Sequence, residues 1–154
     1  MARKVFEGNT KVYWLTSCAN IQSPTTAEIA AGKYIGAFLT KDGMALNTGQ
    51  AGVDTAGIDS LWDTQIGGST QMAPELTLFR DGTTETNGWD LVVQGTQGFL
   101  LIAWFGTPIA GSKAAVIPAE MGIAKPANSA ANTAQKFSVA FFMTAIPAQK
   151  AVVV

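Results

Sequence analysis

The chain has 154 residues, 47% hydrophobic and only 14% charged, with ten basic against eleven acidic residues and no histidine. That length buries one continuous core, while the near-balanced charge offers no basic face to neutralise phosphates. The lack of imidazole removes histidine triads, histidine general bases and histidine metal sites, and no apolar run reaches the ~20 residues needed to span a bilayer as a helix.

Most apolar residues stand in short runs divided by Gly, Asn, Asp and Thr clusters, which predicts a mainly β, antiparallel sandwich or partial barrel. The first strand falls over residues 11–16. Cys18 is the single cysteine, so no intrachain disulfide or thiolate zinc cluster forms, and packing is its expected role. Thr25 with Glu28 three residues later spells a capping box ahead of Ile29, with Gly32 as terminator, giving a short helix. A strand over 34–40 leads into 41–57, which has four glycines and no clear period. It reads as one long loop, either partner-contacting or flexible.

Further strands are expected over 60–65, 75–80, 98–105, 113–123 and 133–144. A second capped helix is expected at Asn87 and Asp90, carrying Trp89 and ending at Gly95. In 98–105 one face carries Leu100, Ile102 and Trp104 and the other Phe99, Leu101, Ala103 and Phe105, so both faces need cover. In 133–144 Phe142 interrupts the polar side. The apolar tail 147–154 either adds a strand to a neighbour's sheet or pairs within its own domain.

A charged fraction far below the usual ~25%, with a mean hydropathy of +0.20, predicts a surface largely covered by other copies. No reaction centre assembles. Asp54, Asp59 and Asp63 fit a solvated loop better than a calcium loop, and Asp81 with Glu85 has no recognisable catalytic spacing. The glycines match neither phosphate-loop nor dinucleotide pattern. The four tryptophans are scattered, which favours packing over base stacking. No cofactor is expected.

The stretch Ile21 to Ile29, Phe38 to Gly43 leading into 41–57, Val53-Asp54-Thr55, Leu61-Trp62-Asp63, Leu76 to Asp81, Trp89-Asp90-Leu91, Gly95 to Gly98 and Gln135 to Val139, in that order, resembles the major tail tube proteins of long-tailed, non-contractile bacteriophages, especially actinobacterial ones. The resemblance implies one domain, six copies of which join into rings with a continuous β inner wall, the rings stacking into a tube through which DNA passes without specific binding. It implies partners in the tape measure, tail tip and terminator, assembly in the host cytoplasm, and a place in the virion tail. Inter-ring contact is then expected from Lys41, Asp42, Gly43, Leu46, Asn47, Gln50, Val53 and Asp54, with both termini (1–10 and 147–154) as further arms, and subunit packing from Trp62, Trp104, Phe105 and Phe142. Composition alone also suits a capsid decoration protein or tail terminator, and a carbohydrate-binding sandwich would use Trp62 or Trp104 as its sugar platform.

Overall fold

The structure is a computed structural model that describes residues 5, 8–80, 88–127 and 130–154. Among these residues ten strands and one helix follow in the order β1 (Lys11–Leu15), α1 (Thr26–Ala31), β2 (Lys33–Tyr34), β3 (Leu39–Ala45), β4 (Thr48–Asp54), β5 (Gln65–Met72), β6 (Glu75–Phe79), β7 (Gln97–Ala103), β8 (Lys113–Pro126), β9 (Lys136–Met143) and β10 (Ala148–Val152). All pairings are antiparallel. Eight strands form one sheet in the order β2-β1-β7-β8-β9-β6-β3, with β10 on β8, and β4 and β5 form a separate two-stranded sheet.

The sheet curls because its two ends are consecutive in the chain. After β2, the Ile35 and Gly36 amides donate to the Val12 carbonyl of β1, and Phe38 accepts from the Phe79 amide of β6. A four-residue link, 35–38, therefore ties one edge to the other without closing the hydrogen-bonded ladder. This is why the strand expected over 34–40 is broken into β2 and β3.

β7 is apolar on both faces because each face meets a different core. Leu100 and Ile102 join Val12, Trp14, Leu76, Leu78, Ile117, Met121, Phe137, Val139 and Phe141 inside the curl. Leu101 and Ala103 join Leu15, Ile29, Val116, Ala148, Ala151 and Val153 on the back, under α1 and β10. β8 serves both layers. Its early residues pair with β10 and its later ones with β9, a register shift between Met121 and Ala124 separating the two. β9 and β10 thus run in succession along one side of β8, broken at Ala145, Ile146 and Pro147. The tail's apolar residues lie against this chain's own β8, with the Val154 carbonyl accepting from the Thr26 amide at 2.8 Å.

The helix begins as expected. The Thr25 side chain accepts from the Glu28 amide at 3.1 Å, and the Glu28 carboxylate accepts from the amides of Thr25 at 2.8 Å and Ala19 at 2.7 Å. The Ala19 bond, then the Thr25 amide and hydroxyl, hold the Glu28 carboxyl below its ordinary pKa. A lowered folded pKa means stability present above the ordinary carboxylate range and lost as pH falls through the folded value. The stability gap between the native chain and E28Q is therefore expected to be full at neutral pH and to close under acid, read by urea unfolding across pH. Thr25→Ala is expected to cost about 1 kcal/mol in the same measurement.

Among the described residues the second expected helix is absent. Residues 89–91 and 94–95 make turns, and Asn87 lies outside the described residues. Trp89 seats edge-on against Phe137 at 5.1 Å, the Val92 and Thr96 amides donate three residues back to the Trp89 and Val93 carbonyls, and Gly95, with φ +85°, donates to the Met121 carbonyl of β8, so the backbone here is spent on turns and on the sheet rather than on helical bonds. Residues 41–57 are not a structureless loop either. They comprise most of β3, the turn at Asn47 and all of β4. The strand expected over 60–65 is instead a turn beyond β4, with β5 starting only at Gln65.

Candidate functional site: an apolar-tipped arm and the groove at its root

β4 and β5 form an arm. They pair in register from Thr48↔Met72 to Asp54↔Gln65, shifted once between Gln50 and Gly52, and every residue from Gln50 to Gln71 except Ala56 and Gly68 is exposed. Gly52 and Gly67 face each other across the ladder, and a glutamine side chain reaches over each from a neighbouring position: a Cβ on Gly52 would lie 2.6 Å from Gln65 Oε1, and one on Gly67 2.5 Å from Gln50 Nε2. The two side chains lie where ordinary residues would collide. A two-stranded hairpin with no packed face is marginal in water, and its apolar side chains from Val53 to Ile66 lie outside both cores of this chain.

The tip is built to present those residues. The Thr55 amide donates to the Thr64 carbonyl at 2.8 Å and its hydroxyl to the same oxygen at 2.9 Å, closing the neck. Asp54 Oδ1 accepts from the Ala56 amide at 3.0 Å, and Ser60 Oγ accepts from the Trp62 amide while donating to the Trp62 carbonyl. With its polar groups so engaged, the loop turns out Ile58 (108% exposed), Leu61 (97%) and Trp62 (80%), and Val53 with its partner Ile66 continues the apolar surface down the arm. Asp54, Asp59 and Asp63 are the arm's only charged side chains. Among the described residues no three potential ligands converge on a metal position.

At the arm's root lies a groove. One part, of 280 Å³, is lined by Leu46, Thr48, Met72, Trp104, Ala115, Ile117 and Gln149. The adjoining 370 Å³ shares Met72 and Gln149 and adds Thr70, Gln71, Met143, Ile146 and Pro147.

The residues singled out from sequence separate accordingly. Leu46 and Trp104 meet in the groove; Gln50, Val53, Asp54 and Trp62 lie on the arm. Asn47, at φ 45°, turns the chain from β3 into β4 and donates from Nδ2 to the Ala73 carbonyl at 3.1 Å, fixing the root. Gly43 is buried, a Cβ there falling 2.5 Å from the Thr77 carbonyl, so it serves packing. Lys41 and Asp42 are exposed on β3, away from the arm's ladder. Phe105 is exposed beyond β7, and Phe142 is 62% exposed on the outer face of β9. The sequence reading does not single out Ile58, Ile66 or Ile146, and takes Leu61 only as part of the Leu61-Trp62-Asp63 motif, although isolated aliphatics such as Ile58 and Ile66 within Gly-, Asp- and Ser-rich stretches are a visible signal.

Cys18 packs half-buried against the rear core. Burial first, and the Glu28 carboxylate second, push its thiol pKa up, which keeps it a packing group rather than a thiolate.

A family model described as phage tail tube protein matches residues 1–154. The chain belongs to that family. As a tail tube family member it is a structural protein of the virion tail. Among solved structures it is similar, at 9% identity and a TM-score of 0.53, to a chain of the cryo-EM structure of the anti-feeding prophage (AFP) baseplate, 6-fold symmetrised. That match covers 94% of this chain and 95% of the other, which makes it a likeness of the whole fold. No curated protein matches the tail tube chain in sequence.

Proposed function

We propose that this protein self-assembles into rings of six copies that stack into the phage tail tube, the conduit for genomic DNA, and that the β4–β5 arm bridges neighbouring copies. The observation that carries this reading is the arm itself, a hairpin with no packed face whose tip turns Ile58, Leu61 and Trp62 into solvent. Such apolar surface is retained where a partner covers it. The six-fold symmetrised assembly that contains the structural neighbour supports the ring number. Assembly is a physical mechanism: strand edges pair between copies, and apolar faces are buried copy against copy. The contact role expected from sequence shifts outward along the chain, from 41–57 to the arm at 48–72, with Gln50, Val53, Asp54 and Trp62 as its members. Phe105 and Phe142 are assigned to subunit packing elsewhere on the surface. The tape measure, tip and terminator are the partners of the finished tube.

The test replaces residues 55–64 by a two-residue Asn-Gly turn, leaving β4 and β5 paired. The thermal midpoint is expected to stay within a few degrees of the native chain's, because the tip touches neither core. Electron microscopy of the native protein at rising concentration, with a tip-complex seed added if needed, should show tubes, and the shortened variant should show none. Tubes of normal length from the variant would overturn the arm's role.

A further inference from the structure

We infer that the groove at the arm's root, lined by Leu46, Met72, Trp104, Met143 and Ile146, is the seat for the arm tip of a second copy of this chain. The inference rests on the arm's bridging role proposed above and names its receiving surface. The tip of one molecule cannot reach its own groove. Thr48 lines the groove and Asp54 begins the tip, so six residue steps of extended strand, about 20 Å, hold the two apart. The tip is convex and apolar, whereas the groove is concave and lined by methionine, leucine, isoleucine and tryptophan, with Ile146 85% exposed on its rim. Methionine-rich linings adapt to the side chain they receive, and an indole with two aliphatic neighbours is the kind of anchor such a pocket takes.

Charge points to the same occupant. The arm carries three aspartates and no basic residue between Thr48 and Met72, which leaves the rest of the chain net positive. Lys150 follows groove-lining Gln149, and Lys113 pairs in register with Val152 on the same strand. Asp59 and Asp63 flank the apolar tip and meet these lysines when it docks. Exposed pairs add little affinity but set orientation. Tip and groove are different surfaces of one chain, so the contact is heterologous and either closes into a ring or propagates.

The experiment uses the full chain with C18S as background. W62C/I146C, mildly oxidised at high concentration, should give disulfide-linked ladders of copies on a non-reducing gel, and I146C alone should give none. Separately, I146D should raise the concentration needed for assembly at least tenfold with an unchanged thermal midpoint. Mixing I146D with W62D, each still holding one intact half of the contact, should give one-to-one dimers in sedimentation that neither forms alone. No ladder from the double cysteine, together with I146D assembling like the native chain, overturns the groove. If W62D fails to assemble in that case, the arm's role stands without it; if W62D assembles normally, the arm's role falls too.

Discussion

Removal of residues 148–154 is expected to destroy cooperative folding at physiological temperature, rather than merely weaken assembly. The strand they form, β10, and the Val153 that follows it supply Ala148, Ala151 and Val153 to the rear core, where they cover Leu15, Ile29, Leu101 and Val116. Those four side chains are each at most 5% exposed. Fully re-exposing one costs ~1.5–3 kcal/mol. Half that loss over the four, about 3–6 kcal/mol, removes much of the ~5–15 kcal/mol of a whole domain. The backbone adds to it: the Gln22 and Pro24 carbonyls lose the Val152 and Val154 amides that donate to them, and the Gly111 and Thr26 amides are left without the Val153 and Val154 carbonyls. Circular dichroism and urea unfolding of the shortened chain measure the effect. A shortened chain that melts like the native one but cannot assemble would mean that β10 belongs to a neighbour's sheet.

The second large effect separates the two faces of one strand. Phe137 is fully buried on β9, edge-on to Trp89, and closes the front core, whereas Phe142 on the same strand is 62% exposed. Phe137→Ala is expected to cost about 3–5 kcal/mol, the transfer loss plus the cavity left behind. Phe142→Ala should stay within about 0.5 kcal/mol of the native chain, as surface truncations do. In assembly the order reverses: F142A, still folded, should polymerise less readily if β9's outer face packs against another copy. Chemical denaturation gives the first comparison and light scattering of folded protein the second. Equal stability losses from the two variants would contradict the burial of this strand.

Legibility in the sequence followed burial. β1, β6, β7, β8 and β9 could be read because each has at least one face in a core, so hydrophobic spacing recorded the pleat. The two-faced pattern of β7 led directly to two covers. Thr25 and Glu28 announced the helix because a capping box is local chemistry that needs no tertiary partner. The arm was illegible for the same reason in reverse: β4 and β5 are joined by backbone ladders, and with neither face packed, Gly, Gln, Thr and Ser carry no period. Leu61 and Trp62 then imitated a strand, although both are turned into solvent and belong to neither core. The turn around Trp89 imitated a helix because capping residues also serve turns. The groove was beyond reach, since it joins Leu46, Trp104 and Ile146, three points whose proximity only the curl of the sheet creates.

The pairing of β1 with β7 has a consequence for synthesis. Lys11 pairs with Ala103 and Leu15 with Phe99, so the first strand has no central partner until the ribosome has passed well beyond the arm. Such distant pairings make folding slow. The sticky tip at 58–62 emerges early, but Met143, Ile146 and Gln149 of the groove and the β10 cover of the rear core emerge only afterwards. If the tip of one copy docks in the groove of another as proposed, nascent copies present a plug and no socket. Copies translated side by side on one message would then be unable to chain together until each is nearly complete, a delay written into strand order alone.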